Sequence, residues 1–431
     1  MKFSDNYKLN LFQMKSTLKV VLILVLITFT NSIIAQKTSI YLDSILKLLP
    51  IKQQEILKNK EKHRLQIILT QINRDENNQP SLLHHFYHYD SSKYFNPAST
   101  VKLPVSIFAL EKINDLKKFN VQKESTFITE SNFNCNKKID VDSSSENLKP
   151  SIENYIKRML LVSDNFSYSR VFDFLGIDTI HEKLKKYNHF NARIKIRFDA
   201  LCKNEESHIS KPFCFKDQSG NLLFQQKELI STKKYPYPFG NALIGKAHMN
   251  ANGKKINHPY DFTEKNFLPL FDLHKILSRL IFHDFLKKED RFNITNYDWN
   301  FLMKYLSAYP RESTYPKYEE KIYVDGYKKY FILGGKQKTI TDTTVRIYNI
   351  VGQSYGFLID CAYIVDFKTK TEFILSACVY VNERNIINSG RYEYDSIGLP
   401  FLKELGSIIL KCEQFRKKKY LPNLSYLPKI N

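Results

Sequence analysis

The strand-forming segments of this chain lie at its two ends, and helix-forming segments fill the middle. Leu65–Ile72 and Leu82–Tyr89 are rich in β-branched and aromatic residues. The turn Asn77-Asn78-Gln79-Pro80 separates them, which predicts a hairpin. Far downstream, Tyr330–Leu333, Val345–Ile350, Phe357–Val365 and Phe373–Val381 read as strands interrupted by Gly334-Gly335, and Leu399–Glu413 reads as a closing helix. Terminal strands that join one antiparallel sheet, with helices inserted between them, give a two-lobed α/β (α+β) architecture. Residues 36–117 and 330–415 then form the sheet-containing lobe, residues 118–329 a mostly helical lobe, and residues 416–431 a basic C-terminal tail. A cleft between lobes is a favoured place for a ligand.

Within that frame, residues 40–62 read as helix broken near Pro50. Pro97-Ala98-Ser99 opens a strongly apolar helix that runs to about Lys117, with Val101, Val105, Phe108, Ala109 and Ile113 at helical spacing. Pro104 is tolerable only in the first turn, so Ser99 stands at the N-terminus of this helix. Ile152–Leu160 forms an amphipathic stripe, and Phe166–Leu175 a short helix stopped by Gly176. Residues 195–260 read as loops with strand fragments; Phe271–Leu286 and Trp299–Ala308 resume helical patterns.

Residues 1–35 have the layout of a cleavable export signal. Lys15 and Lys19 precede the apolar run Val20–Ile27, and small residues lead to Ala35 just before Gln36. The run is short for a membrane span, and an uncleaved signal anchor is the alternative reading. The expectation is an exported protein, periplasmic or secreted. The net charge is +21; residues 1–35, with four lysines and one aspartate, account for +3, leaving +18 on the mature chain. Export argues against nucleic acid as the partner of this charge and points to an anionic cell-wall or membrane surface, or simply to solvated lysines. The six cysteines form no C-x-x-C pair, and export permits disulfides. Cys361 and Cys378 flank a hairpin around Lys368-Thr369-Lys370, and a symmetric hairpin would set them close to opposite each other. His84, His85 and His88 lack metal-ligand spacing, so no metal is expected.

Two short motifs carry chemistry. In Ser99-Thr100-Val101-Lys102, residues three apart on a helix share a face, so the Lys102 amine can reach the Ser99 hydroxyl. Serine needs such a base to become a nucleophile. At a helix start its own N–H also faces a forming oxyanion. Ser16/Lys19, Ser44/Lys47 and Ser231/Lys234 share the spacing, but none opens a long apolar helix after a proline. In Ser163-Asp164-Asn165, between two amphipathic segments, Ser163 can relay a proton, Asn165 can hold Lys102 or a substrate amide, and Asp164 fixes the turn.

The order of these motifs and their separation of 64 positions resemble the penicillin-recognising serine hydrolases of the class A β-lactamase type. Phe95–Pro104 is similar to the active-site helix of that superfamily, and Leu161–Asn165 to its second element. The resemblance implies a β-lactamase/transpeptidase-like fold, an acyl-enzyme on Ser99 and no cofactor. It also implies a β-lactam or peptidoglycan-like small-molecule substrate. Two departures stand out. Where the family has Lys-Thr-Gly on an edge strand, this chain has Ile350-Val351-Gly352, followed by Gln353. Gly352 keeps the position of close backbone approach to substrate, and the Gln353 N–H pairs with that of Ser99 as the oxyanion hole. Ile350 replaces the lysine, for which Lys336, Lys338 or Arg346 are candidate substitutes. The family's Glu-x-x-x-Asn segment is also missing, although Asp199, Glu205 and Glu206 fall in the right region. A D-Ala-D-Ala-type peptidase or esterase, and a degenerate cell-wall-binding relative, remain as alternatives.

Overall fold

The computed structural model describes residues 38–131, 137–198 and 207–428. The expected export signal, Cys135, Cys202, Asp199, Glu205 and Glu206 lie outside the described residues. Among those described, no helix is long and apolar enough to cross a membrane.

The central element is a five-stranded antiparallel sheet made by both ends of the chain. Its strands are β1 (Gln66–Arg74), β2 (Pro80–Tyr87), β3 (Val345–Ser354), β4 (Phe357–Asp366) and β5 (Thr371–Tyr380), in the spatial order β3-β4-β5-β1-β2. Every residue of β4 and β5 is buried, as expected of inner strands covered on both faces. Ile67 and Leu69 of β1, with Leu358 and Leu375, pack under α1 (Ile40–Leu46), α2 (Ile51–Lys58) and the C-terminal helix. Ile68 and Ile72, with Ile359 and Ile374, face the other way, into the core shared with the inserted helices. The two-residue period of the strand thus serves two apolar layers.

The inserted helices are α3 (Lys102–Asp115), α4 (Ile152–Val162), α5 (Asn165–Leu175), α6 (Ile177–Lys186), α7 (Leu270–Ile281) and α8 (Asn296–Ser307); α9 (Leu399–Phe415) closes the fold. The insertion also holds small sheets, the largest pairing Thr126–Thr129, Phe213–Lys216 and Leu222–Gln226. Phe127, Phe174, Phe213 and Phe215 pack against one another there. The C-terminal segment is not loose: Leu424 and Leu427 are buried, and the Tyr426 ring stacks with the buried Arg74 guanidinium.

One local expectation is corrected and another is sharpened. Tyr330–Leu333 is a turn rather than a strand, because the Tyr330 and Phe331 amides donate to the buried Asp360 carboxylate, each at 3.1 Å, instead of to a neighbouring strand. Ile332 accordingly takes a left-handed φ of 68°. Cys361 and Cys378 stand close to opposite, two positions out of register. The β4–β5 turn closes at Asp366↔Thr371, which pairs Cys361 with Ser376 and Cys378 with Ile359, and both thiols are free and buried.

Candidate active site

Ser99 sits on a 3-10 turn, Ala98–Val101, that leads directly into α3. The turn is wound tightly by local bonds. The Asn96 amide oxygen accepts from the Ala98 N–H at 2.8 Å, and the Pro97 carbonyl accepts from both the Thr100 N–H and its hydroxyl. Ala98 is forced to φ 45°, a conformation that costs an L-residue roughly 1–2 kcal/mol. Such strain beside a candidate nucleophile marks a site whose geometry is fixed by its surroundings. Pro104 falls in the first turn of α3, where it costs no helix bond.

The α4–α5 connection supplies the second wall. Ser163 is the left-handed C-cap of α4 (φ 61°), and Asp164 is the N-cap of α5, accepting from the Ser167 N–H at 2.6 Å. Arg158 pairs with Asp164 at 3.1 Å and pins the turn. This places Ser163 and Asn165 against Lys102. The Lys102 Nζ lies 2.9 Å from Ser99 Oγ, 3.0 Å from Ser163 Oγ, 2.5 Å from the Ser163 carbonyl and 2.8 Å from Asn165 Oδ1. Lys102 is fully buried. Burial first, and the positive charge of Lys328 second, hold its amine well below the usual lysine range, with Asp164 opposing. The Ser163 carbonyl and the Asn165 amide oxygen can only accept, so they take two N–H bonds. The Ser99 hydroxyl is thereby left facing an amine that can receive its proton.

The edge strand β3 supplies the third wall. Gly352 presses on the serine turn: a Cβ there would lie 2.6 Å from the Pro97 carbonyl and 3.1 Å from Ala98 Cβ. Its bareness is required by this packing and not only by any approach to substrate. Tyr355 and Gly356, at φ 53° and 92°, make a two-residue hairpin turn of the type favoured between twisted strands. Such a turn closes on a hydrogen-bonded pair, here Ser354 and Phe357. The next pair, Gln353 and Leu358, is then non-bonded, and the Gln353 N–H points off the open edge of β3.

Ser99, Asn165 and Gln353 line two adjoining hollows. One continues to Asn96, Phe198, Asn266 and Tyr355, the other to Ser163, Tyr327, Lys328, Lys336 and Lys338. Ile350 is fully buried in the apolar core with Val101 and Val105. Of the candidate substitutes for a lysine there, Lys336 and Lys338 line the cleft, with Lys336 paired to Asp395 at 2.8 Å. Arg346 is instead tied to Glu312 at 3.0 Å and does not line this cleft. The residue that sequence reasoning missed is Lys328. Nothing in its local sequence marks it; only the fold carries it to the cleft wall.

Residues 51–231, which include both short motifs, match the model of the β-lactamase enzyme family. No curated protein matches the chain. Among solved structures, a β-lactamase from Sphaerobacter thermophilus is similar at 9% identity and TM-score 0.45, with 84% of this chain and 96% of that chain covered. One from Desulfarculus baarsii is similar at 12% identity and TM-score 0.44, with 83% and 96% covered. One from Xanthomonas campestris is similar at 11% identity and TM-score 0.45, with 85% and 97% covered. Over residues 51–231, therefore, the chain is similar to the β-lactamase enzyme family.

Proposed function

We propose that the protein is an exported serine hydrolase that forms an acyl-enzyme on Ser99 from a β-lactam or a related amide. The observation that carries this reading is the 2.9 Å contact between the buried Lys102 amine and Ser99 Oγ. Lys102 takes the hydroxyl proton as Oγ attacks the carbonyl carbon. The N–H groups of Ser99 and Gln353 stabilise the oxyanion. As the intermediate collapses, the carbon–nitrogen bond breaks, and Ser163 passes the proton from Lys102 to the leaving nitrogen. Asn165 holds Lys102 and the substrate amide. Water then cleaves the ester and restores Ser99.

The test is direct. Purified protein incubated with a reporter penicillin should gain the mass of one opened β-lactam, located on the peptide containing Ser99. Wild-type protein that stays unlabelled at every pH refutes the β-lactam reading.

A further inference from the structure

Tyr330 and Gln353 meet in the hollow that also holds Ser99 and Ser163, where the Tyr330 hydroxyl donates to Gln353 Oε1 at 3.3 Å. Neighbouring residues of a strand point to opposite faces. Gly352 faces the serine turn, so Gln353 shares the other face of β3 with Val351, which lines the same hollow. Tyr330 is a fixed donor. Its N–H and that of Phe331 are held by the Asp360 carboxylate, and its carbonyl accepts from the Gly334 N–H at 3.0 Å. Its ring lies so close to Gly335 that a Cβ there would come within 3.3 Å of it. Lys328, two residues earlier, ties the segment to α4: its Nζ donates to the main-chain carbonyls of Leu160 at 2.6 Å and Met159 at 3.2 Å. Burial first, and Asp360 second, push the Tyr330 phenol above its ordinary range, so the hydroxyl keeps its proton.

Gln353 itself is exposed, and a free glutamine side chain samples many rotamers. A fixed donor on its oxygen selects among them. In a carboxamide the oxygen only accepts and the nitrogen only donates. With the oxygen on Tyr330, the two N–H groups of Nε2 turn the other way, and they have no hydrogen-bond partner among the described residues. We propose that Gln353 binds substrate through these two N–H groups, taking an acceptor oxygen on the leaving-group half, and that Tyr330 is the positioning residue that aims them. The proposal rests on reading Ser99 as the nucleophile and Ser163, in the same hollow, as the relay to the leaving nitrogen. Gln353 then has two separate tasks: its main-chain N–H meets the oxyanion, and its side chain meets the departing part of the molecule. A carboxylate and a carbonyl both offer such an oxygen.

The test is a double-mutant cycle on acylation of Ser99 by a reporter penicillin, followed against its concentration. Gln353→Leu keeps the main-chain N–H and loses the carboxamide. Its half-saturating concentration should rise about tenfold, the weight of one hydrogen bond to substrate, with the limiting rate falling less. Gln353→Met gives the same reading should the Leu variant fold poorly. Tyr330→Phe deletes one hydroxyl and keeps the ring; alone it should raise the same constant about threefold, and in the Leu variant it should add nothing. The methyl ester of the penicillin separates the acceptors: the Gln353→Leu penalty shrinks on the ester where a carboxylate is bound and persists where a carbonyl is bound, and either result supports the proposal. A folded Leu or Met variant that acylates like wild type at every concentration overturns it. So does a Tyr330→Phe loss of equal size in both backgrounds, the mark of a merely structural ring. Wild-type protein that never labels would instead sink the Ser99 reading. The side-chain amide NMR signals of Gln353 would then still decide the role of Tyr330: a shift in Tyr330→Phe upholds it, and unmoved signals overturn it.

Discussion

Helix α3 carries a fully buried lysine at one end and a half-buried one at the other, and the two are opposite in chemical promise. At its start, Lys102 meets two hydroxyls and an amide oxygen on the wall of a cleft. Ten residues on, Lys112 is tied to the Phe174 carbonyl and, at 3.1 Å, to Gln226 Oε1, with its amine 4.6 Å above the Phe174 ring. Burial depresses both amines, Lys112 to about 7 with Lys183 adding to the effect. The partners of Lys112 can only accept hydrogen bonds, so a free amine there has no proton to take. A depressed lysine marks a site only where a donatable hydroxyl and an open cleft coincide with it.

The largest effect that can test this contrast is at the cleft end. Ser99→Ala should abolish covalent labelling by a penicillin and leave circular dichroism and thermal melting close to wild type, since it deletes one hydroxyl. Labelling at the wild-type rate would mean that the nucleophile lies elsewhere. Lys102→Ala comes next. Loss of a general base costs about 10²–10⁴-fold, so stopped-flow acylation should slow by that factor while Ser99 remains labelled at long times. An unchanged rate would make Lys102 a packing residue like Lys112.

How much of this was legible beforehand follows from where each interaction is made. Ser99 and Lys102 are three residues apart on one helical turn, so their contact is local and readable. The Ser163-Asp164-Asn165 turn was readable as a turn, and its placement against Lys102 rested on motif order. The sheet built from both chain ends followed from strand-like runs near residues 65 and 375. Lys328 was not legible, because its acceptors are carbonyls near residue 160 and main-chain groups leave no trace in side-chain patterns. Tyr330–Leu333 looked like a strand because it is apolar, but the buried Asp360 carboxylate competes for its amides and wins. Cys361 and Cys378 were legible as near neighbours across the hairpin but not in their register, because the point where the β4–β5 turn closes moves every pair along the ladder.

A smaller effect is expected from loosening the cleft end without touching its chemistry. Gly352→Ala forces a methyl group against the Pro97 carbonyl, a backbone atom that cannot swing aside. The serine turn must then move off β3, at about 1–3 kcal/mol of overpacking. Denaturant midpoints should fall accordingly, and acylation should slow because Ser99 and Gln353 separate. A variant as stable and as fast as wild type would mean that β3 does not hold the serine turn in register.

The smallest effect belongs to the far end of α3. Lys112→Met should leave acylation of Ser99 unchanged, because Lys112 touches neither the cleft nor its walls. Its signature is in stability against pH. Folding lowers the Lys112 amine from the usual 10.5 to about 7. Between those values the unfolded chain holds a proton that the folded chain has shed, so this group makes wild-type stability rise with pH across that window. Below about 7 both states are protonated and the penalty for burying the charge is constant; above 10.5 both are neutral and it vanishes. The stability of wild type relative to Lys112→Met should therefore climb through the window and be level on either side, as measured by urea unfolding at a series of pH values. Parallel curves throughout would show that Lys112 keeps its ordinary protonation in the folded chain. An acylation loss matching that of Lys102→Ala would erase the distinction between the two ends of the helix.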